Sequence, residues 1–331
     1  MIIDGSYLLH RQLHQPEIYG MVNDNGEHYG GVFGFLRSFN KEILTRSKYF
    51  PVVVFDHGLS PRRVELDQYY KHADERDTEI KSITSDTVAD EYITQYRKQR
   101  NKLVTTLSYF GVPAIMITGW EGDDLIYILT QITKQSIVLT DDKDMLQLLS
   151  ENVDVRRPMA KEKWTLEKFL TEKNYTDIYD FVIYKAVLGD ESDNIPSSCK
   201  GVGDKYSNAL IKVLRHFCKT TGREHSWYLG DYPQTEFEMK ELCESLDVPY
   251  RKAFLNLDKE RFCVNIGLVD LGLVEWDYLI TESISSTIMN SKNYANFFTL
   301  MNDLHDMGIN EVPVDTIIES VSIRRQYLTE D

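Results

Sequence analysis

The stretch "TDDKDMLQL" (140–148) sets Asp141, Asp142 and Asp144 close together and then turns at once into an apolar run. "EGDD" (121–124) gathers Glu121, Asp123 and Asp124, and "GDESDN" (189–194) places Asp190 and Asp193 three apart. Single acids close two further apolar runs: Asp4 ends "MIID" and Asp56 ends "FPVVVFD". Like charges so close repel, and folding alone does not call for them. The chain carries 52 acids against 37 bases, a net charge of −15, which on bulk charge disfavours binding to nucleic acid. That objection weakens if many of the acids sit together and hold cations. The eight histidines show no ligand spacing.

The elements that must position these acids follow from the apolar pattern. "MIID", "FPVVVFD" (50–56), "PAIMIT" (113–118), "SIVLTDD" (136–142) and "VDVRRP" (153–158) read as strands. "GVFGFLRSFNKEILTR" (31–46), the run after "EGDD", and "KDMLQLL" read as helices. Continuous apolar strands alternating with helices imply a parallel sheet covered on both faces. Sites in such sheets form at the carboxyl ends of the strands. A lone acid there is commonly a helix N-cap. Acids at the ends of several strands, gathered on one rim, point to a site.

Residues 57–102 interrupt the alternation. From Pro61 to Lys102 the chain carries nine Lys/Arg and nine Asp/Glu, a neutral insertion in an acidic protein. Long insertions at the active rim are usually functional; a solvated helical excursion is the blander reading. Beyond residue 158 the pattern is helical, and 220–236 reads as a linker or surface loop. No apolar stretch approaches the ~20 residues of a membrane span. The start "MIIDGSYLLHRQ" carries an acid where a signal peptide carries bases. A cytoplasmic location is expected, that of the host if the protein is viral. The four scattered cysteines contain no C-x-x-C pair, so reduced thiols are expected and a zinc site is not.

In "GDESDNIPSSCKGVGDKYSNAL" (189–210) the two aspartates, read as facing the same way on a last helical turn, precede Gly201 and Gly203, flanked by Lys200 and Lys205. A Gly-x-Gly turn opening a helix can present backbone N–H groups to a phosphate. Taken alone, a plain helix–helix turn fits as well.

This stretch resembles the metal-binding and helix–hairpin–helix signature of the 5′ nucleases. That family includes flap endonucleases, the 5′-nuclease domain of bacterial DNA polymerase I, and phage 5′→3′ exonuclease/ribonuclease H enzymes. "IIDG" (2–5), "VVFD" (53–56), "YYK" (69–71), "EGDD" and "TDDKDMLQL" follow in family order, over roughly residues 1–217. The phage members look most similar. Gly122 stands where the family usually has alanine, and the arginine that usually follows the "YK" pair is displaced, with Arg76 as its nearest counterpart.

The resemblance implies an α/β, PIN-like 5′-nuclease fold: a mostly parallel central sheet flanked by helices, a helical arch, a helix–hairpin–helix region and a mainly helical C-terminal part. The expected divisions are a nuclease core at 1–158 with the arch at 57–102, a helical region at 159–217 with the hairpin at 195–217, and a C-terminal region at 218–331. It implies two Mg²⁺ ions, with Mn²⁺ able to substitute. Asp4, Asp56, Glu121 and Asp123 would surround the first; Asp124, Asp142, Asp144, Asp190 and Asp193 the second, many of them through water. Asp141 has no family counterpart and is assigned to structure or solvent. Lys71 would stand over the scissile phosphate. Arg62, Arg63, Tyr70, Arg76, Lys200, Gly201, Gly203 and Lys205 would touch DNA, and Tyr69 could stack on a base.

The implied activity is structure-selective hydrolysis of phosphodiesters at 5′ flaps, nicks or 5′ ends of DNA in replication or repair, extending to RNA primers in RNA–DNA hybrids, by a monomer without a membrane. Two rivals stand beside it. A haloacid-dehalogenase-type phosphatase needs an Asp-x-Asp at the first strand, but Gly5 and Ser6 follow Asp4. A DNA binder that has lost catalysis should also have lost some of the acids, and the set is intact.

Overall fold

The computed structural model describes residues 1–44, 48–72, 88–199, 203, 211, 256–291 and 297–326. Arg76, Lys200, Gly201 and Lys205 lie outside the described residues, as do most of the expected hairpin, much of the expected arch and the segment 220–236.

Two compact units interleave along the chain: Met1–Gly58 with Thr84–Leu166 and Glu275–Asp331, and Leu59–Ile83 with Glu167–Val274. The divisions expected from sequence were consecutive, whereas here the last segment returns to the first unit.

The first unit is built on a six-stranded sheet in the order β3-β2-β1-β4-β5-β6. Its strands are β1 (Ile2–Asp4), β2 (Val52–Val54), β3 (Ala114–Ile115), β4 (Ser136–Leu139), β5 (Val153–Arg157) and β6 (Glu162–Trp164). β1 to β5 pair in parallel, as their unbroken apolar runs imply; only β6 runs antiparallel. Ile3, Val53 and Val138 are fully buried, so helices cover both faces. Strand order reverses at β1, with β2 on one side and β4 on the other, which opens a crevice at their carboxyl ends.

The helix Gly5–Leu13 starts without a loop, because Asp4 ends β1 and also caps the helix. Leu8, Leu9, Gln12 and Leu13 form its buried stripe. A side chain at Gly5 would meet the Val54 carbonyl oxygen at 2.8 Å, so the glycine of "IIDG" lets this helix start tight against β2. The helix Gly122–Ile132 buries Leu125, Ile126, Ile128 and Leu129 completely.

Three expectations change. The helix expected over 31–46 is α-helical at Gly30–Ser38 and widens to a π-helix at Phe39–Leu44. "KDMLQLL" is a short 3₁₀ turn at Asp144–Leu148. The excursion is narrower than 57–102. Val88–Tyr109 is one continuous helix, and Tyr96, Leu103 and Leu107 belong to the buried core.

In the second unit the helices Tyr179–Leu188 and Lys259–Val269 pack around Val182, Ile183, Ala186, Phe262 and Ile266. Among the described residues Cys199 and Cys263 form no disulfide; Cys218 and Cys243 lie outside the described residues. No described helix is long and apolar enough to cross a membrane.

Candidate metal centre and nucleic-acid interface

Asp4 is the hub of the first unit's acids. One carboxylate oxygen accepts from the Tyr7 backbone N–H at 2.8 Å and the other from the Thr140 hydroxyl at 2.8 Å. Burial pushes its pKa up to about 7; the Asp56 charge adds to this and Asp142 adds less, while the two hydrogen bonds oppose it. Three aspartates from the ends of β1, β2 and β4 therefore share one electrostatic neighbourhood.

The surrounding groups fix these acids. Asp56 accepts from the Gly122 N–H at 2.6 Å, and its own N–H donates to Ser6 Oγ at 2.9 Å. Arg100 donates to the Asp56 carbonyl at 2.7 Å. The Asp142 N–H donates to Thr140 Oγ1 at 3.0 Å, and Asp142 Oδ1 accepts from the Asp144 N–H at 2.8 Å. Glu121 is the N-cap residue of the helix Gly122–Ile132, with Asp123 and Asp124 in its first turn, where the helix dipole favours negative charge. Glu121 and Asp124 are almost wholly buried. A methyl group on Gly122 would come within 3.1 Å of the Asp56 carboxylate, so glycine here gives that acid room.

Asp141 is structural. It accepts from the Tyr7 hydroxyl at 2.5 Å and from the Met159 and Ala160 N–H groups at 3.0 and 3.2 Å. Burial and this acceptor push the Tyr7 phenol's pKa up.

Asp190 and Asp193 belong to the second unit. They do not share a final helical turn. Gly189, at φ 75°, ends the helix, and Asp190 and Ile195 exchange backbone hydrogen bonds of 2.8 and 2.7 Å around the loop. Lys185 Nζ lies 2.5 Å from Asp190 Oδ2. Burial works against the ionised form of Asp190, but Lys185 and Ser192 outweigh it and hold the pKa below the usual carboxylate range. Lys71 is left-handed at φ 47°, donates its N–H to the Asp193 carbonyl at 2.8 Å, and brings Nζ to 3.6 Å from Asp193 Oδ2.

Three expected DNA contacts are relocated. Arg62 and Arg63 donate to the Gly267 and Leu268 carbonyls at 2.7 and 2.9 Å, capping the end of the helix Lys259–Val269. Arg63 is 2% exposed, and burial keeps it from a phosphate. Tyr70, also 2% exposed, packs with Val182, Ile183 and Phe262 in the core. Its neighbour Tyr69 is exposed. Among the described residues, a side chain at Gly203 would meet nothing within 4 Å.

Sequence reasoning gave no role to Ser6, Thr140, Arg100 or Lys185. Thr140, lying inside the acidic motif, was the one with a visible signal.

The N-terminal resolvase-like domain of 5′-3′ exonucleases matches residues 1–177. The chain belongs to the 5′-3′ exonuclease family. Within that family it is 25% identical to the 5′-3′ exonuclease of Aquifex aeolicus over 265 residues, covering 78% of this chain and 84% of the relative. It is 26% identical to the DNA polymerase I of Caldicellulosiruptor bescii over 84% of its own length, but spans only 31% of that enzyme. The bacteriophage T5 D15 protein co-crystallised with metal ions shares its fold, with a TM-score of 0.58 at 19% identity, covering 92% of this chain and 98% of that one.

These residues fit a hydrated hard cation. Burial above all, then the Asp56 charge and to a lesser degree that of Asp142, discourages Asp4 from ionising, and a dication compensates such crowding. Among the described residues, no three His, Cys, Asp or Glu side chains form a ready cage for a bare ion. Mg²⁺ keeps several waters and takes one or two carboxylates directly, so it needs no such cage.

Proposed function

We propose that this chain is a metal-dependent 5′ nuclease that hydrolyses phosphodiesters at 5′ ends, nicks or flaps of DNA. The buried Asp4, with Asp56 and Asp142 in its field, supports this reading, since a cation would compensate such crowding. Asp4, Asp56, Glu121 and Asp123 would hold one Mg²⁺, and Asp124, Asp142, Asp144, Asp190 and Asp193 a second, with Mn²⁺ able to replace either. When bound, the ions supply an acidified attacking water and neutralise charge on the phosphate and leaving oxygen.

The chain's own groups do the positioning. Tyr7, Thr140 and Gly122 fix the carboxylates of Asp4 and Asp56 through N–H and O–H donors. Lys71, anchored by its backbone to Asp193, offers a point charge to the phosphate. The hairpin glycines, Lys200 and Lys205 would hold duplex backbone, which gives selectivity for structure rather than sequence. RNA–DNA hybrids are further substrates, and the enzyme acts as a monomer.

Product lengths from end-labelled flap, nicked and RNA–DNA substrates test this, with Mg²⁺ and with EDTA. Mg²⁺-dependent products cut near the 5′ junction are expected. Cleavage that persists in EDTA contradicts the reading.

A further inference from the structure

The pairing of β1 with β4 ends at Ile3 and Leu139. The acids lie past that point, where β1 turns into the helix Gly5–Leu13 and β4 into the loop that carries Asp142 and Asp144. The strand ladder therefore does not set the spacing between Asp4, assigned to one cation, and Asp142 and Asp144, assigned to the other. Side chains must do so.

Two links span the gap. Thr140 Oγ1 donates to Asp4 Oδ2 at 2.8 Å and accepts from the Asp142 N–H at 3.0 Å. Tyr7 makes the second link. Its N–H donates to Asp4 Oδ1 at 2.8 Å, and its hydroxyl donates to Asp141 Oδ2 at 2.5 Å. Asp141 is held from its other side as well. The Met159 and Ala160 N–H groups donate to its Oδ2 and Oδ1, and Arg157 Nη2 donates to its carbonyl at 3.1 Å.

Three of the about four lone-pair sites of this carboxylate are thus taken, by donors whose positive ends would face an incoming cation. Asp141 is built to be held by the protein, beside two acids built to hold an ion. Its charge strengthens the bond from Tyr7, since a hydrogen bond to an ionised acceptor is stronger than a neutral one.

We infer that Tyr7 and Asp141 are positioning residues: their hydroxyl–carboxylate bond sets the distance between the Asp4 carboxylate and the Asp142–Asp144 loop, and so the affinity of the second cation site. The inference rests on the two-ion nuclease reading and deepens it. Asp141 touches neither ion, and its effect passes through the main chain it shares with Asp142.

The test is Tyr7→Phe, which removes only the hydroxyl. The contact to Asp4 is made by the main chain and stays, and Asp141 keeps its two N–H donors. Mn²⁺ is titrated into the protein and the unbound ion is followed by its EPR signal, with urea unfolding in EDTA as the check on folding. Tyr7→Phe should bind one Mn²⁺ as the wild type does and the other about 10- to 100-fold more weakly, the usual effect of losing an outer partner of a metal ligand. The Mg²⁺ midpoint of single-turnover flap cleavage should rise to match. Asp141→Ala should weaken the same site, and the double variant should weaken it no further. Should Asp141→Ala not fold, Tyr7→Phe decides alone. Unchanged affinities in folded Tyr7→Phe, equal weakening of both sites, or additive losses in the double variant overturn the inference. A wild type that binds Mn²⁺ and cleaves, with Tyr7→Phe indistinguishable from it, defeats this inference alone; a wild type that neither binds Mn²⁺ nor cleaves defeats the nuclease reading.

Discussion

Lys71 and Asp193 meet twice: the Lys71 N–H donates to the Asp193 carbonyl at 2.8 Å, and Nζ stands 3.6 Å from the Asp193 carboxylate. The lysine is therefore held by its backbone in a left-handed conformation, with its ammonium beside an acid assigned to the metal site. An anchored ammonium suits charge that develops during reaction. Lys71→Ala should lower the single-turnover cleavage rate by about 10²–10³ and change DNA affinity in Ca²⁺ much less. A wild-type rate at saturation would make Lys71 an ordinary phosphate contact.

Arg62 and Arg63 should behave differently. Arg63 is buried against the Leu268 carbonyl. Its loss takes this donor from the Leu268 carbonyl while Arg62 still holds that of Gly267, and should cost roughly 1.5–3 kcal/mol of stability, the range for hydrogen bonds to charged groups. Urea unfolding of Arg63→Ala measures this. The slope of log Kd against log salt should stay at the wild-type value, whereas a drop of about one unit would mark a phosphate contact.

The buried Asp4 sets a pH dependence in EDTA. Its folded pKa is raised from 3.8 to about 7, so its protonated form suits the fold. This group's contribution is complete below about pH 4 and is lost as pH rises through 7, by ~4 kcal/mol at most. Asp4→Asn, which mimics the protonated acid, should lose less stability between pH 5 and 8, and Mg²⁺ should stabilise the wild type more than the variant. Parallel pH profiles of the two urea midpoints would show that Asp4 does not titrate in this window.

Gly203 is open to substitution, since among the described residues a new side chain there meets nothing within 4 Å. Gly203→Val should fold normally, raise KM for duplex substrates and leave kcat intact. An unchanged KM would reduce the hairpin to a turn.

The sheet and its acids were legible because parallel strands buried on both faces write themselves as unbroken apolar runs, and Asp4, Asp56 and Asp142 stand at or just past their ends. β6 was not, because a three-residue edge strand reading Glu-Lys-Trp carries no such run. The fates of Arg62, Arg63 and Tyr70 depend on the helix Lys259–Val269, about 200 residues on, which local pattern cannot reveal. "YYK" reads as two equivalent rings, yet only packing against Phe262 and its neighbours decides that Tyr70 turns inward while Tyr69 stays exposed. Lys185 reaches Asp190 only because Gly189 turns the chain back at the helix end.

The central claim is that these carboxylates serve a metal-dependent phosphodiester cleavage. Asp142→Asn removes one charge at nearly constant shape, close to the hub at Asp4. The deciding measurement is its single-turnover cleavage of a 5′-flap substrate in Mg²⁺, beside the wild type and with folding checked by urea unfolding. The account predicts a loss of orders of magnitude in rate, with stability in EDTA kept or increased as repulsion is relieved. Cleavage by folded Asp142→Asn at near the wild-type rate would contradict it.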